Sequence, residues 1–414
     1  MVESNLKILR TMNETEFDGK SFCTLPFIHL ATHPIGTSTP CCITDMTNDM
    51  STAKKDGFNL FLDKDSLSDI TNSENFNNIR KQMIEGEFPT ECKTCYFHEK
   101  NGVYSKRMES NLKFKHLIDH SYGNTNSDGS LKELDYRYIE LRLGTVCNLK
   151  CVTCNPFSSN RWNEDVKVFK DTEFEKNYFK CDIRTEWFRS TKFYDELYEK
   201  CPNLEEVWIN GGEPTLIKEH CYFLQKLIDS GRSKDVNLHY SINMTNVPDD
   251  FITIWKQFKN VRLHLSIDDL ETRNEYIRTG SNWEITLKNF LKIIEYKDIF
   301  KIEVCQTVSC LNVMNIDNFK AFTEQHGIVI AHNYVHHPSF QHVSIISDEM
   351  KEELLSNIKN LNNFELERLK TELYASKNDG DFDKFIKFMT LLDMKRNVFI
   401  GDYLPEWKKY FDKL

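Results

Sequence analysis

Leu141-Arg-Leu-Gly-Thr-Val-Cys-Asn-Leu-Lys-Cys-Val-Thr-Cys154 decides the fold. Just before its cysteines, Tyr138 to Leu143 alternates apolar and polar residues, the period of a strand. Cys147, Cys151 and Cys154, spaced C-x3-C-x2-C, are therefore expected on a loop leaving the C-terminal end of that strand. In α/β sheets and barrels this is the end that binds ligands. Three soft thiolates on a short loop suit an iron–sulfur cluster or zinc. A structural zinc site wants four ligands. A cubane cluster held by three cysteines leaves one iron open for a substrate or cofactor.

Downstream, strand and helix periods alternate. Leu204 to Asn210 reads as a strand ending in Gly211-Gly212-Glu213-Pro214, with a helix from Thr215 to Ser230. Further strands are expected at Val236–Asn243, Val261–Asp268, Ile302–Ser309 and Ile328–Tyr334, with helices at Asp249–Phe258 and Asn282–Tyr296. About six βα units between residues 137 and 335 predict an α/β fold with a parallel sheet, closer to a partial (βα)6 barrel than to a full eightfold one. A Gly-Gly turn at a strand end lets backbone approach a ligand closely.

Upstream, residues 1–20 read as a loose arm and 21–122 as a small cysteine-rich module containing Cys23, Cys41, Cys42, Cys92 and Cys95. A helix is expected over Ser66–Gly86, with Ile70, Phe76, Ile79 and Met83 at helical spacing, and the Cys92-x2-Cys95 pair on a tight loop. Residues 123–136, opening with Gly123-Asn-Thr-Asn-Ser-Asp-Gly-Ser130, have linker composition. The core would span 137–338, and 339–414 would be a helical extension with Phe385, Phe388, Met389, Leu392 and Val398 along one stripe.

The chain has 414 residues and a net charge of −10, which argues against general nucleic-acid binding. No run of about 18 apolar residues marks a membrane span, and the N-terminus lacks an apolar signal core. A cytoplasmic location follows as an expectation. There, 13 cysteines read as metal ligands or buried thiols rather than disulfides. Cys181 and Cys201, without close partners, read as inert thiols.

C-x3-C-x2-C after a strand, with Asn148 next to the first cysteine, resembles the radical S-adenosylmethionine (SAM) superfamily. Gly211-Gly212-Glu213-Pro214, 57 residues beyond Cys154, is similar to that superfamily's GGEP motif. The resemblance implies that Cys147, Cys151 and Cys154 hold a [4Fe–4S] cluster whose open iron chelates SAM. Reductive cleavage of SAM then gives a 5′-deoxyadenosyl radical that takes hydrogen from a substrate. It implies SAM contacts at Asn210, Gly211, Gly212, Glu213, Thr245, Asn246, Ser266 and Arg278, with Val308 and Asn312 near the adenine or ribose. It also implies an electron donor such as a flavodoxin or ferredoxin.

The N-terminal segment resembles a Twitch module, the shortened relative of the SPASM domain. Cys23, twelve residues, Gly36, four residues, Cys41 and then the distant Cys92-x2-Cys95 carry the likeness. It implies a second, auxiliary [4Fe–4S] cluster on Cys23, Cys41, Cys92 and Cys95, with Cys42 as the alternative to Cys41. Such modules usually follow the core, whereas here the match precedes it. Relatives that modify peptides or proteins favour such a substrate; sugar and small-molecule substrates stay open, as does a non-catalytic zinc-binding scaffold. No residue stands out as a catalytic acid or base. His332, His336 and His337, near the last strand, read as structural or as substrate donors.

Overall fold

The computed structural model describes residues 21–45, 50–100, 104–176, 178, 186–376 and 378–412. The expected arm and Cys181 lie outside them. Two compact units emerge: one is residues up to Thr32 with Thr37–Tyr138 and Glu199–Asn203, the other is His33–Gly36, Ile139–Tyr198 and Leu204 onward.

In the first unit, β1 (His29–Thr32) pairs antiparallel with β2 (Ser38–Thr39), and β3 (Lys54–Lys55) with β4 (Phe58–Asn59). The helix expected over Ser66–Gly86 is two helices, α1 (Leu67–Thr71) and α2 (Glu74–Ile84). Ser66 caps α1 by accepting from the Asp69 amide. Asn72 ends it, and Ser73 turns extended (ψ 155) before α2 begins. The break has a tertiary cause. Asn72 exchanges two hydrogen bonds with the Leu131 backbone, through Oδ1 at 2.8 Å and Nδ2 at 3.2 Å.

Arg80 of α2 is fully buried and donates to the carbonyls of Gly129, Pro26 and Thr71. Gly129, at φ +85, leaves no room for a Cβ, which would lie 2.0 Å from Asn77 O. The segment with linker composition is thus bonded onto α2 within the first unit.

The second unit carries six strands: β5 (Tyr138–Leu143), β6 (Glu206–Gly211), β7 (Asn237–Ile242), β8 (Asn260–Leu265), β9 (Lys301–Val308) and β10 (Val329–Tyr334). They follow one another in sheet order, and β6 to β10 pair in parallel. Helices α3 (Cys221–Asp229), α4 (Asp249–Trp255), α5 (Glu271–Ile277), α6 (Trp283–Ile294) and α7 (Ile316–Gln325) return the chain between strands. This is the expected α/β architecture of six successive βα units. One face of β7 and β9 is uniformly buried (Leu238, Tyr240, Ile242; Ile302, Val304, Gln306, Val308) while the alternate positions are half-buried, or exposed at Lys301, and mostly polar.

After β10 the chain is helical, including α8 (Asp348–Asn357), α9 (Asn363–Leu373) and α10 (Asp381–Arg396). Phe385, Phe388, Met389 and Leu392 of α10 are fully buried in one apolar cluster with Trp162, Phe169, Tyr276 and Trp407. Phe388 stacks on Phe169 at 4.9 Å. Val398 is partly buried against the same cluster.

Candidate functional site

The cysteine loop follows β5 and is held by backbone contacts on nearly every residue. The Lys150 amide donates to Thr279 O (2.9 Å) and the Val152 amide to Ile277 O (2.7 Å). The Leu149 carbonyl accepts from Ser159 Oγ, Cys151 O from Trp162 Nε1 (3.0 Å) and Val152 O from Gln341 Nε2 (3.2 Å). Arg396, at the end of α10, pins the loop from outside: it donates to Lys150 O (2.8 Å), Thr279 Oγ1 (2.9 Å) and Asp165 Oδ2 (2.8 Å). Its guanidinium also lies 4.9 Å from the Trp162 ring centroid. The loop is therefore fixed before any ligand binds.

Within it, the thiols of Cys147, Cys151 and Cys154 act on one another electrostatically, and the buried Arg278 guanidinium acts on all three. Burial pushes the Cys147 thiol up, Cys151 to about 11 and Cys154 to about 12. Three protonated thiols, one buried and two half-buried, are an arrangement that a metal completes by displacing their protons.

The turn after β6 packs straight onto this loop. Gly211 takes φ +127, and a Cβ there would sit 2.5 Å from Leu143 N. A Cβ on Gly212 would sit 2.1 Å from Val146 O. The Glu213 amide donates to that same carbonyl at 2.7 Å. The glycines permit backbone-to-backbone approach beside Cys147. Glu213 itself is buried, and its carboxylate accepts from Thr215 N and Oγ1 and from Asn243 N (2.7 Å). Burial raises its pKa against those bonds. Its side chain ties β6 to β7, so what the turn offers outward is backbone.

Asn243, one residue past β7, is a hub that carries no signature in its sequence neighbours. Its Nδ2 donates to Asn148 Oδ1 (3.0 Å) and lies 3.8 Å from Cys147 Sγ; its Oδ1 accepts from Thr245 N and Oγ1. Asn148 Nδ2 closes the ring on Thr245 Oγ1 at 2.9 Å. Thr245 thus joins the cysteine loop, while Asn246 is exposed. Met244, at φ +64, supplies the bend between them.

Arg278 ends α5 and is 9% exposed, with Nη1 2.9 Å from Asp268 Oδ2 and Nε buried without a partner among the described residues. Asn210 Nδ2 donates to Glu140 Oε1 (3.1 Å), and its Oδ1 is likewise buried and unpartnered. Ser266 follows β8, half-buried, its amide on Ile242 O. Val308 is packed in the apolar cluster. Asn312 is fully buried and spends its amide on Asp268 O and Thr307 O. His332 shares the apolar sheet face with Gln306 and bonds it at 2.8 Å; burial lowers its pKa to about 4. Its Nε2 is buried without a partner among the described residues. His336 and His337 are exposed, and His336 stacks on His342.

The first unit holds a separate small cavity lined by Cys23, Cys41, Cys92, Cys95, Met83 and Arg107 among others. Cys42 is not among its lining residues. Contrary to the expected tight loop, Cys92 ends a 3-10 turn (Thr90–Cys92) and Cys95 lies in the first turn of the helix Lys93–Lys100. Helical i, i+3 spacing puts both thiols on one face. Burial raises Cys23 to about 12, Cys92 well above the ordinary thiol range, and Cys95 upward. Thr39 and Thr44 hydroxyls both donate to the Cys41 carbonyl (2.9 and 3.0 Å), fixing that residue. Arg107, a cation on the cavity wall held by Glu99 and Phe22 O, carried no sequence signal.

Residues 23–96 match the SPASM family, described as an iron–sulfur cluster-binding domain. The GTP 3′,8-cyclases of Actinobacillus pleuropneumoniae serotype 3 (strain JL03) and serotype 7 (strain AP76) are each 27% identical over 163 residues, 39% of this chain and 41% of theirs. The chain thus spans well under half the length of these curated relatives. Among solved structures, anSMEcpe with bound AdoMet aligns over 53% of this chain and 56% of its own at 16% identity and a TM-score of 0.35. SuiB of Streptococcus suis aligns over 80% and 67% at 14% identity and a TM-score of 0.34. Structural likeness at that level adds no weight.

Proposed function

We propose that the chain is a radical SAM enzyme with an auxiliary cluster in its N-terminal module. The observation that carries this reading is the Cys147–Cys151–Cys154 loop locked against the Gly211–Gly212 turn, with one buried arginine facing all three thiols. Cys147, Cys151 and Cys154 would hold a [4Fe–4S] cluster, which when bound would supply the electron for reductive cleavage of SAM to a 5′-deoxyadenosyl radical.

The protein's own part is binding and orientation. The Gly212 and Glu213 amides are spent on Gly144 O and Val146 O, so the groups the turn can offer a ligand are backbone carbonyls beside Cys147. Asn210 Oδ1 and Arg278 Nε are buried polar atoms that a zwitterionic ligand would satisfy. Ser266 and Thr245 lie at adjoining strand ends as further SAM contacts. Asn148 and Asn243 hold Cys147 in place through the Thr245 ring of bonds. In the other unit, Cys23, Cys41, Cys92 and Cys95 around one cavity fit an auxiliary [4Fe–4S] cluster, and Arg107 offsets its negative charge.

The substrate is a peptide or protein whose carbon loses hydrogen, by modification or dehydrogenation, with a flavodoxin or ferredoxin as electron donor. Free thiols in this number suit the cytoplasm. The test is anaerobic purification with iron, sulfide and zinc measured per chain, then dithionite and SAM. About eight irons with 5′-deoxyadenosine formed is expected. Zinc alone, with no SAM cleavage after cluster assembly, overturns the reading.

A further inference from the structure

The polar face of the second unit's sheet holds a second constellation of metal-binding side chains. His264 lies on β8, two residues before Ser266 and on the same face. It stands directly opposite Glu303 of the parallel strand β9. Cys305, two residues beyond Glu303, projects from that face as well. His264 Nδ1 is 2.9 Å from Glu303 Oε1 and 3.3 Å from Cys305 Sγ, and the three donor atoms all lie within 4.8 Å of one another. One ring nitrogen carries at most one proton, so it cannot serve the carboxylate and the thiol equally.

We infer that His264 Nδ1, Glu303 Oε1 and Cys305 Sγ form a site for a divalent ion of zinc's class, with a coordination position left open for water or an oxygen or nitrogen of the substrate. The donor chemistry supports the class of ion: one imidazole, one carboxylate and one thiolate is a borderline-soft set, and three protein ligands with a fourth position open is the pattern of catalytic zinc. The mounting supports the site. All three ligands stand on paired strands rather than loops, and Trp208 stacks on the His264 ring at 4.9 Å and 15°, restricting its rotation.

His264 Nε2 is buried with no partner among the described residues. The far nitrogen of a metal-bound imidazole normally carries the ring's one proton, which leaves Nδ1 to the ion. Arg262 places positive charge near Glu303 and Cys305 and competes with the ion, so exchangeable rather than permanent zinc is expected. On binding, the ion takes the place of the thiol proton, which passes to solvent, and a neutral ring that carried its proton on Nδ1 carries it on Nε2 instead. Glu303 is already ionised, and no electron moves. The inference does not depend on the cluster at Cys147.

The experiment titrates zinc into protein with its iron–sulfur content assembled, and measures retained zinc and iron together. Wild type is expected to hold one exchangeable zinc that Cys305→Ser and Glu303→Gln bind at least tenfold more weakly, with iron unchanged in all three. X-ray absorption on zinc-loaded wild type, which needs no variant, should show one sulfur at about 2.3 Å among nitrogen and oxygen neighbours. Equal zinc binding by wild type and both variants overturns the inference. So does a shell of four sulfurs, a shell with none, or no zinc retained by wild type. Should a variant misfold, the wild-type absorption spectrum decides alone.

Discussion

Gly212→Ala tests the contact on which the radical-site reading depends. A methyl group there would meet Val146 O at 2.1 Å, Val146 C at 2.6 Å and Thr145 C at 2.8 Å. All three are backbone atoms, so no side chain can swing away. Opening from 2.1 Å to the 3.4 Å of ordinary contact is a shift of about 1.3 Å, and it falls on the residue preceding Cys147. Overpacking of this kind costs about 1–3 kcal/mol. The shift also breaks the 2.7 Å bond from the Glu213 amide to Val146 O, a buried pair worth about 1–3 kcal/mol when left unsatisfied. The expected destabilisation is therefore about 2–6 kcal/mol by chemical denaturation. A misplacement near 1 Å typically costs about 100-fold in rate. 5′-Deoxyadenosine formation should fall by about that factor, while iron held by the N-terminal module persists. A Gly212→Ala protein with wild-type stability and wild-type SAM cleavage would refute the argument that this turn positions the cluster loop.

Three other outcomes are expected. Cys41→Ala should lose about four irons per chain while Cys42→Ala keeps them, because only Cys41 lines the cavity with Cys23, Cys92 and Cys95; equal iron loss would put Cys42 in the ligand set. Arg396→Gln removes one of the two cations on buried Asp165, which keeps Lys150 Nζ at 3.0 Å, and frees Lys150 O, and should cost about 1–3 kcal/mol in denaturation; a change under about 0.5 kcal/mol would count against that anchor. Asp393 accepts from Tyr276 and Ile400, yet burial holds its pKa up at about 6 against an unfolded value of 3.8. The native state binds its proton more tightly, so the stability it contributes is present below pH 3.8 and lost as pH rises to about 6, on the order of 3 kcal/mol. Asp393→Asn should flatten that part of the stability–pH curve; an unchanged slope assigns it to other groups.

The βα alternation was legible because burial on one sheet face imposes a period of two on the strands, and each strand from Tyr138 to Tyr334 is short enough for that period to be clean. Boundaries drifted where a distant partner intervened. Ser66 to Gly86 has unbroken helical spacing, and nothing local shows that Asn72 will leave the helix to pair with Leu131. Asn243, Arg107 and Arg396 were missed for a related reason. Each works through contacts to residues far along the chain, and a lone Asn or Arg has no signature in its neighbours.

Glu213 shows the same limit from the other side. Its motif places it correctly in the turn, but only the fold shows that its carboxylate is spent on Thr215 and Asn243. Spacing also could not choose between Cys41 and Cys42, since adjacent residues differ only in the direction their side chains take.

The amino-acid sequence by itself determined the fold class and which cysteines travel together, because strand periodicity and short-range thiol spacing are local properties of the chain. Tertiary structure alone decided the rest: that Arg278 is buried against the thiols rather than exposed, that Gly212 abuts Val146, and that His264, Glu303 and Cys305 converge. Those facts depend on which strands pair and in what register, and register is fixed by the packing of the whole sheet rather than by any segment of it.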